Sequence, residues 1–187
     1  MSSYRIATRY AKSLLQLADE KGQVDEVFQT MKSLDKIFEE NRDLKLMFKS
    51  PIIPTDRKLT VVKLLFEAKI NSMVFQFLNL MIKKGRESYF HEMVGSFIIQ
   101  YNKLKHITPV KLTSAIKLDA GLVANMIAAL KKREKLDEIQ LKEVIDESLI
   151  GGFVLEYDGK MIDSSVSRSL RGLNSIVRDD SYIKKYY

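Results

Sequence analysis

The hydrophobic period of this chain changes once, near Lys103–Pro109, and no single repeating architecture accommodates both halves. Before that segment, apolar residues recur at three-four spacing, the mark of one face of a helix. After it, Val110, Leu112, Ser114, Ile116 and Leu118 alternate with Lys111, Thr113, Ala115 and Lys117. That is the period of two of a half-buried strand. The break itself is polar, and Pro109 disfavours helix for the residue before it. Glycine and proline are scarce, 8 and 3 in 187 residues, which favours long helices over a turn-rich all-β fold.

In the first half, Tyr4 to Lys21 reads as a helix closed by Gly22. A second helix carries Val24, Val27, Phe28, Met31, Leu34, Ile37 and Phe38 on one face. Asn41 to Lys49 is a short third, ended by Ser50-Pro51. Thr55 is expected to cap a fourth, with Leu59, Val62 and Leu65 inward. Asn71 or Ser72 opens a fifth that Gly85 stops. A sixth puts Tyr89, Phe90, Met93, Val94, Phe97, Ile98 and Tyr101 on its apolar side.

In the second half, Asp119 caps a helix with Leu122, Val123, Met126, Ile127 and Leu130 inward. Ile139 and Leu141 mark a second strand, and Gly151 to Tyr157 a third. Asp158-Gly159 is a strong hairpin signal, returning Lys160 to Asp163 as a fourth strand. Ser164 or Ser165 then caps a last helix with Val166, Leu170, Leu173 and Val177 inward. The expected fold is mainly α with α+β: a six-helix bundle over residues 1–105, then a small α/β domain over 106–187.

Composition narrows the function. Without cysteine there is no disulfide, thiolate metal site or cysteine nucleophile. His91 and His106, the only histidines, form no metal-ligand pair at helical spacing; His91 is expected to face solvent and His106 to fall in the linker. Gly151-Gly152 is followed by strand formers and not by a helix, so a close backbone approach suits it better than a phosphate loop. Asp163-Ser164-Ser165 has no histidine nearby and suits helix capping better than nucleophilic catalysis. No catalytic, cofactor or metal site is expected. Membrane insertion is not expected either, since no apolar run is long enough to span a bilayer. The N-terminal stretch, although basic, merges into a helix carrying Asp19 and Glu20 and is expected to belong to the mature fold.

The net charge of +7 points to an acidic partner, which makes a basic nucleic-acid-binding protein the alternative reading. Yet Lys83-Lys84-Gly85-Arg86 is broken by Glu87 and Lys131-Lys132-Arg133 by Glu134. Both clusters fall at helix C-termini, where cations complement the helix dipole.

Two helices carry more apolar surface than one core stripe needs. In the first, Ala7, Ala11, Leu14, Leu15 and Ala18 suffice for a core, leaving Ile6, Tyr10, Ser13 and Leu17 as another stripe. In the fifth, Val74, Phe77, Leu78 and Met81 face the core, leaving Met73, Gln76, Leu80 and Lys84. Either both helices are buried all round, or the spare stripes form a groove for a partner helix.

Four segments, RYAKSLLQLA, PIIPTDRK, FLNLMIKKGRE and SLIGGFVLEYDGKMIDSSVSRSLRGL, together resemble the delta subunit of the F-type ATP synthase, whose mitochondrial counterpart is the oligomycin-sensitivity-conferring protein. The resemblance runs in order from about Tyr4 to Leu173. It implies a non-catalytic peripheral-stalk subunit, one copy per complex, on the cytoplasmic side of the bacterial inner membrane. It further implies that the N-terminal domain holds alpha-subunit helices in a groove between its first and fifth helices, and that the C-terminal domain holds the b subunit. Ser13 stands where the family often has alanine.

Overall fold

A computed structural model describes residues 3–172. The chain divides between Leu104 and Lys105 into two compact units. Among the described residues it is mostly helical, with one small four-stranded mixed sheet.

The first unit contains α1 (Ser3–Glu20), α2 (Val24–Glu40), α3 (Arg42–Lys49), α4 (Thr55–Phe66), α5 (Ser72–Lys83) and α6 (Phe90–Leu104), with a short 3-10 turn at Glu87–Tyr89. Glycine ends two helices for the same reason. Gly22 and Gly85 take φ of +66° and +63°, and the following N–H groups return to carbonyls of the last turn: Gln23 to Ala18 at 2.9 Å, Arg86 to Met81 at 2.9 Å. Asn71 opens α5 by accepting the N–H of Met73 at 2.9 Å.

Ala7, Ala11, Leu14 and Ala18 are fully buried on α1. The three alanines let α1 lie close to α6, where the Gln100 amide donates to the Thr8 carbonyl at 3.1 Å. An aromatic cluster of Phe38, Phe48 and Phe90 joins α2, α3 and α6. His91, expected in solvent, is half-buried and stacks on Phe38 with ring centres 5.5 Å apart. Its neighbours on α6 carry the apolar stripe, and the flat imidazole extends it.

The α4 register differs from expectation. Pro54, not Thr55, precedes the first turn, and no side chain caps it. Lys58, Val62 and Phe66 are buried, while Leu65 is 42% exposed. A buried lysine is invisible to apolar periodicity, so the inward face was read one position off.

The second unit contains β1 (Ile107–Ser114), α7 (Ala120–Glu134), β2 (Glu138–Ile145), β3 (Phe153–Tyr157), β4 (Lys160–Asp163) and α8, helical over residues 166–172. The sheet order is β2-β1-β3-β4. β1 runs parallel to β2 and antiparallel to β3, and β3 and β4 form a hairpin. α7 is capped by Asp119, which accepts the Gly121 N–H at 2.9 Å, and buries Val123 and Leu130 against Val110, Leu112, Leu155 and Tyr157.

β1 begins earlier than its alternation predicts. Pro109 is tolerated because β3 pairs only from Val110 onward, so the proline has a strand on one side alone. β1 also ends at Ser114, leaving Ile116 71% exposed, and Leu122 on α7 is 50% exposed. Asp158 and Gly159 turn the hairpin with φ of +44° and +72°. Ser165 caps α8 by accepting the Arg168 N–H at 3.2 Å. Val166 and Leu170, expected inward, are 41% and 47% exposed; Leu173 and Val177 lie outside the described residues.

Candidate functional site: docking grooves on the helical unit

Among the described residues, no group of three or more His, Asp or Glu side chains could hold a metal, and no helix is long and apolar enough to cross a membrane. The functional candidates are surfaces.

The first is the seam between α1 and α5. The Tyr10 ring meets Phe77 edge-to-face, with centroids 6.1 Å apart and planes at 77°. This geometry aligns the positive edge of one ring with the negative face of the other. Around it, Ile6, Tyr10 and Leu17 of α1 are half-buried and Ser13 is exposed. The Ser13 hydroxyl is turned back onto its own helix, donating to the Arg9 carbonyl at 3.1 Å. That bond removes the hydroxyl's demand for an outside acceptor.

On α5, Gln76 and Lys84 are exposed and Leu80 is 46% exposed. Met73 is different: it is only 6% exposed, beside fully buried Val74. Met73 therefore belongs to the core and not to the open stripe. The structure thus brings Tyr10 onto α5 through Phe77 and leaves Leu80 open on the same helix.

The second candidate is a groove between α2, α3 and α4, with a volume of about 530 Å³. Ile37, Leu44, Met47, Leu65, Phe66 and Ile70 give it apolar walls. Sequence reading missed it. The available signal was the apolar run Leu64-Leu65-Phe66 at the end of α4, more than one inward face needs.

The helical unit also holds a buried cation. Lys58 is 2% exposed. Its ammonium donates to the Ser50 carbonyl at 2.7 Å, reaches the Phe48 carbonyl at 3.5 Å, and pairs with Glu87 Oε1 at 2.7 Å. It therefore satisfies the carbonyls at the end of α3 and ties them to the turn that follows α5. Glu87 Oε2 is buried with no hydrogen-bond partner.

In the second unit the Lys160 ammonium donates to Glu134 Oε2 at 2.6 Å and lies 5.8 Å from the centre of the Tyr157 ring. The hydrogen bond from Lys160 holds the Glu134 carboxyl below its ordinary range and raises the Lys160 ammonium above its own. This contact fastens the β3–β4 hairpin to the end of α7.

The family profile of the ATP synthase delta (OSCP) subunit matches residues 6–177. ATP synthase subunit delta of Christiangramia forsetii is 34% identical over 185 residues, 99% of this chain and 100% of that protein. The Cytophaga hutchinsonii subunit delta is 34% identical over 175 residues, 94% of this chain and 95% of that protein. Among solved structures, a chain of the Toxoplasma gondii mitochondrial ATP synthase hexamer superposes with a TM-score of 0.69 at 20% identity, covering 91% of this chain and 96% of that one.

Proposed function

The chain belongs to the ATP synthase delta (OSCP) subunit family, and from that premise we propose that it is a static clamp holding the catalytic head to the b-subunit stalk. Membership makes it a peripheral-stalk subunit of the F-type ATP synthase, a non-catalytic part of that complex. The finer assignment follows from the family resemblance, and the α1–α5 seam supports its first half. The unit formed by α1–α6 holds N-terminal helices of the alpha subunits, and the α/β unit holds the b subunit. One copy serves each complex, on the cytoplasmic face of the bacterial inner membrane.

The observation that carries this reading is the α1–α5 seam: Tyr10 packed on Phe77, with Ile6, Leu17 and Leu80 still partly open to solvent. An amphipathic helix laid there would cover apolar surface that the fold leaves uncovered. Each apolar anchor fully buried yields about 1.5–3 kcal/mol. Several are needed against an association cost of roughly 4–15 kcal/mol. A clamp that resists torque from a rotor requires that surplus in a contact salt does not screen, and an apolar groove meets this.

The test is a chain ending near Lys105. It should unfold cooperatively and still co-sediment with the catalytic head. Membranes rebuilt with it should hydrolyse ATP but pump few protons, because the head then turns with the rotor. Full pumping by the shortened chain would remove the two-grip reading, and loss of head binding would place part of the first grip in the α/β unit.

A further inference from the structure

Strand β2 closes one side of the sheet. Its inner side pairs with β1 from Ile107↔Glu138 to Ser114↔Ile145, and no described strand lies on its outer side. The edge is 8 residues long and contains neither proline nor glycine. Among the described residues, its outward N–H and C=O groups have no strand to meet them. Its side chains carry the same mark. Ile139 and Leu141 pack on the α7 side of the sheet yet remain only half-buried, with no described strand beyond them.

A lysine within an edge strand usually discourages pairing, and Lys142 is exposed here. Glu138, also exposed, points to the same side of the sheet, since side chains alternate along a strand. Two copies of β2 pairing antiparallel about a two-fold axis keep both faces continuous only when opposed residues share a face. With Gln140 opposite its own copy, Glu138 meets Lys142 twice on the side away from α7. Ile139 then meets Leu141 twice on the α7 side. Other face-preserving registers are worse. With Leu141 opposite itself, Ile139 faces Glu143. With Lys142 opposite itself, like charges meet and Leu141 faces Glu143.

We propose that the free chain associates with a second copy of itself through the outer edge of β2, in the register centred on Gln140. The edge is self-complementary in hydrogen bonding, charge and apolar contact at once. The pairing spans only Glu138 to Lys142, well short of a standard interface of about 1,600 Å², so the association is weak and reversible.

The experiment is sedimentation equilibrium of the full chain over a wide concentration range. The average mass should rise reversibly from monomer toward dimer. Lys142→Glu turns two attractive cross-strand pairs into two repulsive ones and should raise the dimer dissociation constant by about tenfold or more. Glu138→Lys added to Lys142→Glu should restore it. Both side chains are exposed, and circular dichroism should report an unchanged fold. A chain monomeric throughout, or a dimer indifferent to the charge reversal and its swap, overturns the proposal. Hydrogen exchange separates the other occupants. Outward β2 amides already protected in a monomer would mean that this chain covers its own edge. Protection only in the assembled synthase would give the edge to a different subunit. Either result overturns self-pairing.

Discussion

Lys58 and Glu87 meet at 2.7 Å although 29 residues separate them in sequence. The side chains are 3% and 14% exposed, so the pair works largely out of water. Breaking such a pair from one side strands the other charge and typically costs about 3–5 kcal/mol. Lys58→Met should therefore lower the stability of the helical unit by that order, measured by urea unfolding. Replacing both partners, Lys58→Met with Glu87→Leu, should recover much of the loss. If the double variant is no better than the single, the carbonyls of Phe48 and Ser50 matter more than the carboxylate.

The seam and the core separate by mutation. Leu80→Asp should weaken binding of an alpha-subunit N-terminal peptide by about tenfold or more while leaving the melting temperature nearly unchanged. Tyr10→Ala should weaken it similarly and also cost about 1 kcal/mol of stability, from the lost contact with Phe77. Met73→Ala should do the reverse, lowering stability by about 2–5 kcal/mol, as buried methionines do. Titration calorimetry beside thermal melts reads both quantities. A large stability loss from Leu80→Asp would place that residue in the core.

Gly152 cannot carry a side chain. Its φ is +76°, and a Cβ there would stand 2.2 Å from the Ser164 carbonyl oxygen. Gly152→Ala should cost more than about 2 kcal/mol in the α/β unit. Gly151→Ala, whose Cβ would meet only the movable Val166 side chain at 3.1 Å, should cost less. Equal effects in chemical denaturation would contradict this close approach.

The hairpin anchor should depend on pH at both extremes. Glu134 has a lowered folded value, so its contribution is present above the ordinary carboxylate range and is lost as pH falls through the folded value. Lys160 has a raised value, so its contribution is present below the ordinary lysine range and is lost as pH rises through the folded value. Between these limits the docking of β3–β4 on α7 should be flat with pH. Amide exchange of Tyr157 measures it, and Glu134→Gln should remove the acid limb. An acid limb that survives Glu134→Gln would assign it to another carboxylate.

Helix ends and the hairpin were legible because they depend on local chemistry: Gly22, Gly85, Asn71, Asp119 and Asp158-Gly159 act within a few residues of themselves. What escaped is what tertiary contact decides. Lys58 is polar in sequence and buried in the fold because its partner lies on a distant turn. His91 is shielded by Phe38 from another helix. Met73 and Leu80 look alike in a list of apolar residues, yet the fold buries one and leaves the other open. Ile150 was equally unreadable: a β-branched residue at φ +66°, held there by the turn that leads into Gly151-Gly152. In the candidate seam, the surplus apolar stripes could be read from spacing, whereas the pairing of Tyr10 with Phe77 needed coordinates.

The order β2-β1-β3-β4 makes the first strand after α6 an interior one. Only Lys105 and His106 separate α6 from β1. Any tension carried along the backbone from Lys105 enters the sheet at the tip of β1, and its component along the strand loads the ladders on both sides. The hydrogen bonds to β2 and β3 lie across that direction, so they share the load and must slide together before any of them parts. A hairpin edge pulled from its end would instead peel bond by bond. A unit tethered this way is thus attached through its sheet in shear, the loading mode in which a ladder of individually modest bonds resists extraction longest.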